Sequence, residues 1–567
     1  MHATKNHHMN GARNQAKAWV ARSQRTLVCC LAGTLLAAPL ATRSQDSSRR
    51  KTIDITSTFK PVLRNAAKIN FNASAPTGDS VRPALSYHIP IQYLSLSLQP
   101  AMLKPVPLSS DTLPGWKNDN YIKAGIGSVY QPYLKGAFSF GDQQQQFFNV
   151  YADQFSSKGD LPYQKSSLTD VGLNGIVRNS HNMEWTGRFG FSSDGYYLYG
   201  YQPDTLKYSK DQLLQRFQTF DGQLGLRNMT WTTYGIGYHP TAHVSVFGDN
   251  HSPQATEANT VVDLPLEKKI GDHFLFNLGV TANLTNYRRQ NLPAVENNLY
   301  YISPSLLFRN ANLYIQAGVN PAWDNKSFTL LPDFMAQVST NDQRFTFLAG
   351  WLGYYDKGSY QRFESINPWL AQPNLLLNTE VIERYAGFKG SLDDHFSYAA
   401  KVSLLDYYNM PLFVNDSIDG KTFLIRYEPD LKDIQLHGEL SYILGEQFSA
   451  IAGLTINQYG NLRNNAAAFG LVPLEFKTAL RWEVLNDLWI KSDLLAFSGA
   501  PWRGNDAKSY LGDGAFDLNA GIEFRIFRQL NLWLQLNNLF NDKYQRWHQY
   551  DSYGFNFLLG VIFSFRE

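Results

Sequence analysis

The stretch that decides the fold of this chain is its last one, Tyr553-Gly-Phe-Asn-Phe-Leu-Leu-Gly-Val-Ile-Phe-Ser-Phe565. Apolar side chains occupy every second position in it: Phe555, Phe557, Leu559, Val561, Phe563 and Phe565. Because successive side chains of a β-strand point to opposite faces, one face of this strand is a continuous aromatic and aliphatic stripe. Its length of about ten residues is that of a transmembrane β-strand.

The same alternation recurs from Asn118 onward. Segments 474–484 and 516–526 both alternate apolar with charged or small residues. One such segment is weak support for a strand, but repetition over most of the chain is strong support. We expect the charged set to face the interior of a closed sheet; its members are Glu475, Lys477, Arg481, Glu483, Asp517, Glu523 and Arg525.

The connections between these segments alternate between short polar turns and longer links. Such alternation is typical of a membrane barrel whose two rims face different compartments. An even strand count is reached if Thr422 to Leu444 is a single strand, bent at Glu428-Pro429-Asp430. The sequence therefore predicts an all-β, transmembrane antiparallel barrel of about 22 strands, within a range of about 18 to 24.

The composition agrees with this fold and excludes two other kinds of protein, namely helical membrane proteins and nucleic-acid-binding proteins. The chain has 14% aromatic and 44% hydrophobic residues, yet its mean hydropathy is −0.32. No segment after the leader approaches the run of about 18 apolar residues that a membrane helix needs. The formal net charge is only +3. We therefore expect no positive electrostatic potential strong enough to bind nucleic acid.

Three regions follow from the sequence. Residues 1–45 have the form of a cleaved signal peptide, with a basic leader and an apolar run from Leu27 to Leu40. Residues 46–117 are rich in proline and predict an extended periplasmic or luminal segment. Residues 118–567 are the predicted barrel. Both cysteines, Cys29 and Cys30, lie in the leader, which excludes disulfides and thiolate chemistry from the mature chain.

The C-terminal hairpin resembles that of TonB-dependent receptors. The penultimate strand runs into Asn538-Leu-Phe-Asn-Asp-Lys-Tyr544, and the last strand ends near Phe565. The resemblance implies insertion into the bacterial outer membrane by the barrel-insertion machinery, which reads such an end. It also implies active uptake of a large nutrient ligand, driven by a TonB-type energy-coupling protein.

The segment Lys51 to Ser57 loosely resembles the box that such a partner binds. Its residues Thr52, Ile53, Asp54, Ile55 and Thr56 could add as a strand to a partner's sheet edge. The plug domain of the family has well over a hundred residues, whereas about 70 precede the first predicted strand here. We therefore expect residues 51–117 to fold into or across the lumen as a reduced plug, or another protein, such as a lipoprotein, to fill it.

Aromatic residues in the long links are the candidate ligand contacts: Tyr360, Phe363, Trp369, Trp502 and Trp547. Such rings stack on sugars or planar ligands. They are also the usual composition of the belt at a membrane interface. No catalytic constellation, cofactor motif or metal-ligand spacing is present in the sequence, and the cluster Asp393-Asp394-His395 is best read as a solvated turn.

Two functions remain at this point. The first is a receptor and transporter of the TonB-dependent type. The second is a passive channel, or a structural barrel subunit of a surface or secretion complex. An enzyme is not expected.

Overall fold

The computed structural model describes residues 119–142, 145–342 and 344–566, and they form a closed antiparallel barrel of 22 strands. The prediction of an all-β barrel of about 22 strands is confirmed. The strands are β1 Asp119–Gly127, β2 Tyr130–Gly141, β3 Gln146–Lys158, β4 Lys165–Arg178, β5 Met183–Tyr197, β6 Leu214–Asn228, β7 Thr241–Asp249, β8 Ala255–Ile270, β9 Phe274–Arg289, β10 Val295–Arg309, β11 Leu313–Asp324, β12 Ser327–Ser339, β13 Phe345–Asp356, β14 Thr379–Ser391, β15 Phe396–Tyr408, β16 Leu431–Leu444, β17 Phe448–Gly460, β18 Leu474–Leu485, β19 Leu488–Phe497, β20 Ala515–Phe527, β21 Leu530–Asn537 and β22 Asn556–Arg566.

Each strand pairs with the next along the chain, and β1 pairs with β22 to close the sheet. The register of this seam runs from Asp119 opposite Arg566 to Gly127 opposite Leu558. Gly125 and Gly560 face each other in it, and a Cβ at Gly560 would collide with the Ala124 carbonyl. The seam therefore depends on a close approach of two backbones that glycine permits.

The two faces of the sheet differ as the alternation predicts. Phe557, Leu559, Val561 and Phe563 are 38 to 47% exposed on the outer face, where lipid would cover them. Trp533 lies on the inner face and is 5% exposed. The charged set shares that inner side by register. Its members pair locally, as in Lys477 with Glu475 and Lys491 with Glu523.

The connections divide between two rims. One rim carries mostly turns of two to five residues, and Asp393 closes one of them by accepting the N–H groups of His395 and Phe396. Its exception is 229–240, where Ile236–Tyr238 adds a short strand beside β8. The other rim carries the long connections, which include 198–213, 357–378, 409–430, 461–473, 498–514 and 538–555. We call it the long-loop rim.

The prediction that Thr422 to Leu444 forms a single strand is wrong. Phe423–Glu428 leaves the barrel wall and pairs with Met410–Asn415 as a separate hairpin, and β16 begins only at Leu431. Pro429 stands between the two parts, and proline has no N–H to continue the ladder. The strand count is unaffected because this hairpin lies outside the wall.

Two short helices, α1 Lys210–Leu213 and α2 Tyr360–Ile366, lie in the long loops. Two small hairpins lie there as well: Pro501–Arg503 with Ser509–Leu511, and Gln545–Trp547 with Tyr550–Asp551. Within the described ranges, no helix is long and apolar enough to cross a membrane. The predicted signal peptide, the proline-rich segment and the box-like residues Thr52–Thr56 lie outside the described residues.

Candidate functional site in a cap of interlocked loops

Four loops of the long-loop rim pack together over one shared aromatic cluster. We call the assembly of loops 198–213, 357–378, 409–430 and 538–555 the cap. The buried members of its cluster, together with the wall residues beneath, are Tyr196, Phe217, Phe247, Ala255, Tyr287, Tyr360, Phe363, Leu370, Leu376, Phe413, Phe423, Trp547 and Tyr550.

Helix α2 is the part of the cap that packs against the barrel wall through Glu257. Ser359 is its N-cap and accepts the N–H of Arg362 at 3.1 Å. The buried carboxylate of Glu257, on β8, accepts the N–H groups of Tyr360 and Gln361 at 2.6 and 3.2 Å. A helix of seven residues is not stable by itself, so its formation depends on these contacts with the wall.

Tyr360 is the anchor of α2. Its side chain is completely buried, and its ring packs edge-on against Phe217, Phe247 and Tyr287 at centroid distances of 6.0, 5.2 and 5.6 Å. Its hydroxyl donates to Asp249 at 3.0 Å. Loop 357–378 leaves the wall between β13 and β14, so this anchor carries it sideways to the inner face of β6–β9.

Lys357 holds the start of the same loop. Its ammonium donates to the backbone carbonyls of Asn283 and Asn297, and burial lowers the pKa of Lys357 to about 8. The Asn297 side chain in turn donates to the carbonyl of Gly358 at 2.9 Å. Buried polar groups of this kind fix one position of the loop, since each needs its partner.

Contacts between loops cross the barrel mouth. The N–H of Gln202 donates to the carbonyl of Asp419 at 2.8 Å, and the hydroxyl of Tyr208 donates to the Asp419 carboxylate. These two loops leave the wall between β5 and β6 and between β15 and β16, ten strands apart in a ring of 22. The cap therefore joins nearly opposite sides of the barrel.

Aromatic stacking completes this bridge. Trp369 stacks on Tyr550 at 3.9 Å between ring centroids, and Tyr199 meets the edge of Tyr550 at 4.9 Å. The three residues belong to three different loops of the cap. Burial of large rings is the main source of stability for such a cluster.

Glu428 ties a fifth loop, 461–473, to the cap. Its buried carboxylate accepts the N–H groups of Arg463, Asn464 and Asn465 at 2.7 to 3.2 Å. Burial alone would raise the pKa of Glu428, but these hydrogen bonds outweigh it and hold the pKa below its usual value. The carboxylate therefore stays ionised and clamps the loop.

A pocket of about 330 Å³ opens at one edge of the cap. Four consecutive loops of the rim, 409–430, 461–473, 498–514 and 538–555, contribute to it. Its lining residues are Phe413, Phe423, Gly470, Ala500, Pro501, Trp502, Leu511, Gly512, Asp513, Gln545, Arg546, Trp547 and His548. Apolar rings combined with a few polar groups are typical of a small-molecule site.

One wall of this pocket is a stack of rings. Trp502 lies on His548 at 3.4 Å with an interplanar angle of 9°, and Tyr510 stacks on Trp502 at 5.0 Å. Burial lowers the pKa of His548, which favours the neutral imidazole. Asp513 is exposed at the rim of the pocket, and Arg546 is half-buried in it.

The predicted ligand contacts are brought together, but mostly inside the cap. Tyr360 and Phe363 are 0% exposed and Trp547 is 6% exposed, while Trp369 is half-buried. Trp502 lies outside the cap cluster and lines the pocket, which Trp547 also lines. Four of the five therefore have a packing role in this state, and their role in ligand binding stays a prediction.

The last-strand residues lie on the outer face, as described, with Phe555 just before β22.

The sequence interpretation missed the polar residues that hold the cap, namely Asp249, Glu257, Glu428 and Lys357. It also missed Arg546. Single polar residues near strand ends follow no period, so no pattern in the sequence distinguished them. Within the described residues, no cluster of three or more potential metal ligands occurs.

The sequence matches no protein-family model and no curated protein. Solved structures match it by fold. The FrpB iron transporter from Neisseria meningitidis (F3-3 variant) superposes with a TM-score of 0.62 at 11% identity, covering 79% of this chain and 81% of that one. The siderophore receptor PirA from Pseudomonas aeruginosa gives 0.56 at 13% identity, covering 79% and 80%.

A third structure is a point mutant of the ferric enterobactin receptor PfeA from Pseudomonas aeruginosa, in complex with enterobactin. It superposes with a TM-score of 0.61 at 10% identity, covering 79% of this chain and 81% of that one. At such identities the likeness establishes the fold. The chain has the 22-stranded barrel fold of the TonB-dependent receptors, the family that its last two strands resemble in sequence.

Proposed function

We propose that this chain is an outer-membrane receptor of the TonB-dependent type, which captures a large nutrient ligand at the long-loop rim and passes it through the barrel. The apolar outer face supports a position in lipid. The names of the similar structures, an iron transporter, a siderophore receptor and a ferric enterobactin receptor, make iron–siderophore complexes the first ligand class to test.

The observation that carries this proposal is the cap. A passive channel works through a permanent opening, whereas here the contact of Gln202 with Asp419 joins nearly opposite sides of the mouth, and the stack of Trp369 on Tyr550 joins two further loops over it. A large ligand passes only if these contacts separate. That separation requires a ligand that binds the open arrangement more tightly than the closed one, which is the behaviour of a receptor.

The rest of the proposal follows from orientation. The long-loop rim faces outward and the rim of short turns faces the periplasm, as in other outer-membrane barrels. Cleavage within residues 38–45 would release the mature chain. Residues 46–117 would then lie in or across the lumen, and Thr52–Thr56 would be available to a TonB-type partner by strand addition. A barrel of 22 strands needs such an occupant.

Two measurements test the proposal. In planar bilayers, the mature chain should show low conductance, and removal of residues 46–117 combined with Tyr360→Ala should raise it. In the native bacterium, deletion of residues 51–57 should abolish growth on a ferric siderophore as sole iron source, with the amount of protein in the outer membrane unchanged.

The passive alternative makes the opposite predictions. A channel would conduct steadily as the full mature chain, and a structural subunit would copurify with a stoichiometric partner. Either would retain its behaviour after deletion of residues 51–57. A large steady conductance of the full mature chain would overturn the receptor proposal.

A further inference from the structure

Arg546 is a cation that the described part of the fold does not neutralise. Among the described residues its guanidinium forms no ion pair, and its Nη1 is buried without a hydrogen-bond acceptor. Its Nη2 donates to the carbonyl of Gly470 at 3.1 Å, and the guanidinium lies 4.4 Å from the centre of the Trp547 ring.

A partly buried cation of this kind destabilises the protein unless a group of opposite charge interacts with it. Removal of a charged group from water carries a free-energy penalty, which a well-placed partner of opposite charge offsets. Burial lowers the pKa of Arg546 to about 10, while the negative charge of Glu475 opposes this effect from a distance. Arg546 is thus still protonated at neutral pH, and no described carboxylate lies close enough to form an ion pair with it.

The pocket described above is where a counter-ion fits. Arg546 lines it together with the stacked pair of Trp502 and His548. Gln545 lines it too, but its side-chain amide is already engaged, since it donates to Asp551 and accepts the N–H of Gln549. Asp513 stands at the exposed edge. A guanidinium presents donors in a planar fork that matches a carboxylate, and the rings beside it suit an apolar body attached to that carboxylate.

We propose that this pocket is a binding site for a carboxylate-bearing ligand with a flat apolar body, the carboxylate being held by Arg546. The site lies at one edge of the cap, within four consecutive loops. It rests on the proposed function and deepens it, because it gives the chemical class of a ligand, or of part of one. Phe413, Phe423 and Trp547 belong both to its wall and to the cap cluster, so its occupant touches the residues that close the mouth.

The competing interpretation is that Arg546 is only structural and acts through Gly470 and Trp547. The two differ in their response to the charge of a small probe. Benzoate and benzamide have the same ring and nearly the same size, but only benzoate carries a carboxylate. We would titrate each into the mature full-length chain in detergent at pH 7.5, with calorimetry and tryptophan fluorescence as readouts.

The proposal predicts saturable binding of one benzoate per chain and at least tenfold weaker binding of benzamide. Arg546→Gln should weaken benzoate binding at least tenfold, equivalent to about 1.4 kcal/mol. Arg546→Lys should lie between the two because lysine keeps the charge but loses the fork. The matched control is Arg503→Gln, on a loop that contributes to the pocket but not itself a lining residue; it should bind benzoate as the unmodified chain does.

Three outcomes would overturn the site: no saturable binding of benzoate to the unmodified chain, equal binding of benzamide, or unchanged binding in Arg546→Gln. The comparison of the two probes needs no variant, so the test survives a variant that does not fold. Failure here is distinct from failure of the proposed function. A chain that takes up siderophores without binding benzoate loses only this site, and a steadily conducting chain that binds benzoate loses only the receptor proposal.

Discussion

Replacement of Tyr360 by alanine should release the cap while leaving the barrel intact. The ring is completely buried against Phe217, Phe247 and Tyr287, and truncation of a buried aromatic residue costs about 3–5 kcal/mol. The lost hydroxyl also donated to Asp249. That carboxylate keeps the N–H of Ala255 and the amide of Gln372 as donors, so the added cost is small.

This free energy is lost from the docking of α2 onto the wall, because the 22 wall strands keep all of their ladder hydrogen bonds. At roughly 4 kcal/mol, the equilibrium between docked and released loop shifts by nearly a thousandfold. Hydrogen exchange reports local opening of this kind. The informative amides are those of Phe363 and Asn367, which donate within α2 at 3.0 Å each.

We expect exchange at these amides to accelerate by two to three orders of magnitude in Tyr360→Ala, in line with that shift. Tyr360→Phe keeps the ring and should accelerate exchange only about tenfold, as expected for loss of one hydrogen bond. The matched control is Tyr234→Ala, since Tyr234 is 76% exposed on the other rim. Unchanged exchange in α2 of Tyr360→Ala, or equal acceleration in Tyr234→Ala, would refute the assignment of Tyr360 as the anchor.

Two further predictions concern the loop clamp and the lipid face. Because the pKa of Glu428 is held below its ordinary value, its stabilisation is present above about pH 4.5 and is lost as pH falls through the depressed pKa. An acid-active protease should therefore cut loop 461–473 increasingly as the pH falls below about 4.5, whereas Glu428→Gln should be cut already at about pH 5 with little further change. Leu559→Arg places a charge on the outer face of β22 and should cost about 2–4 kcal/mol, which lowers the folded fraction measured by heat-dependent gel migration. Ser564→Arg, on the luminal side of the same strand, should fold normally, and equal loss in both variants would contradict the assigned faces.

The wall of the barrel could be predicted from the sequence because its signal is local. Alternation in a strand such as β22 is visible within a few residues, and the register of neighbours follows from short turns. The same reasoning failed at 423–428. That segment alternates like a wall strand, and period alone does not say which partner it pairs with; only Pro429 marked the break.

The cap could not be predicted, because its contacts join residues that are distant in the chain. Tyr360 reaches Asp249 across 111 positions, and Tyr550 reaches the Lys421 carbonyl across 129. Arg546 had no pattern around it beyond neighbouring aromatic residues. The aromatic content of the loops was evident, but whether the rings point outward to a ligand or inward to each other depends on how loops meet in space.

The pairing of β1 with β22 ties integration into the membrane to synthesis of the whole wall. The strand that closes the ring spans only eleven residues and is the last of the 22 to be translated. A polypeptide released before Asn556 would have an open sheet with two unpaired edge strands. Their backbone N–H and C=O groups would have no hydrogen-bond partner in hydrocarbon, where only a closed barrel pairs them all. The fold thus carries its own check on completeness, because a chain that lacks β22 cannot close the wall.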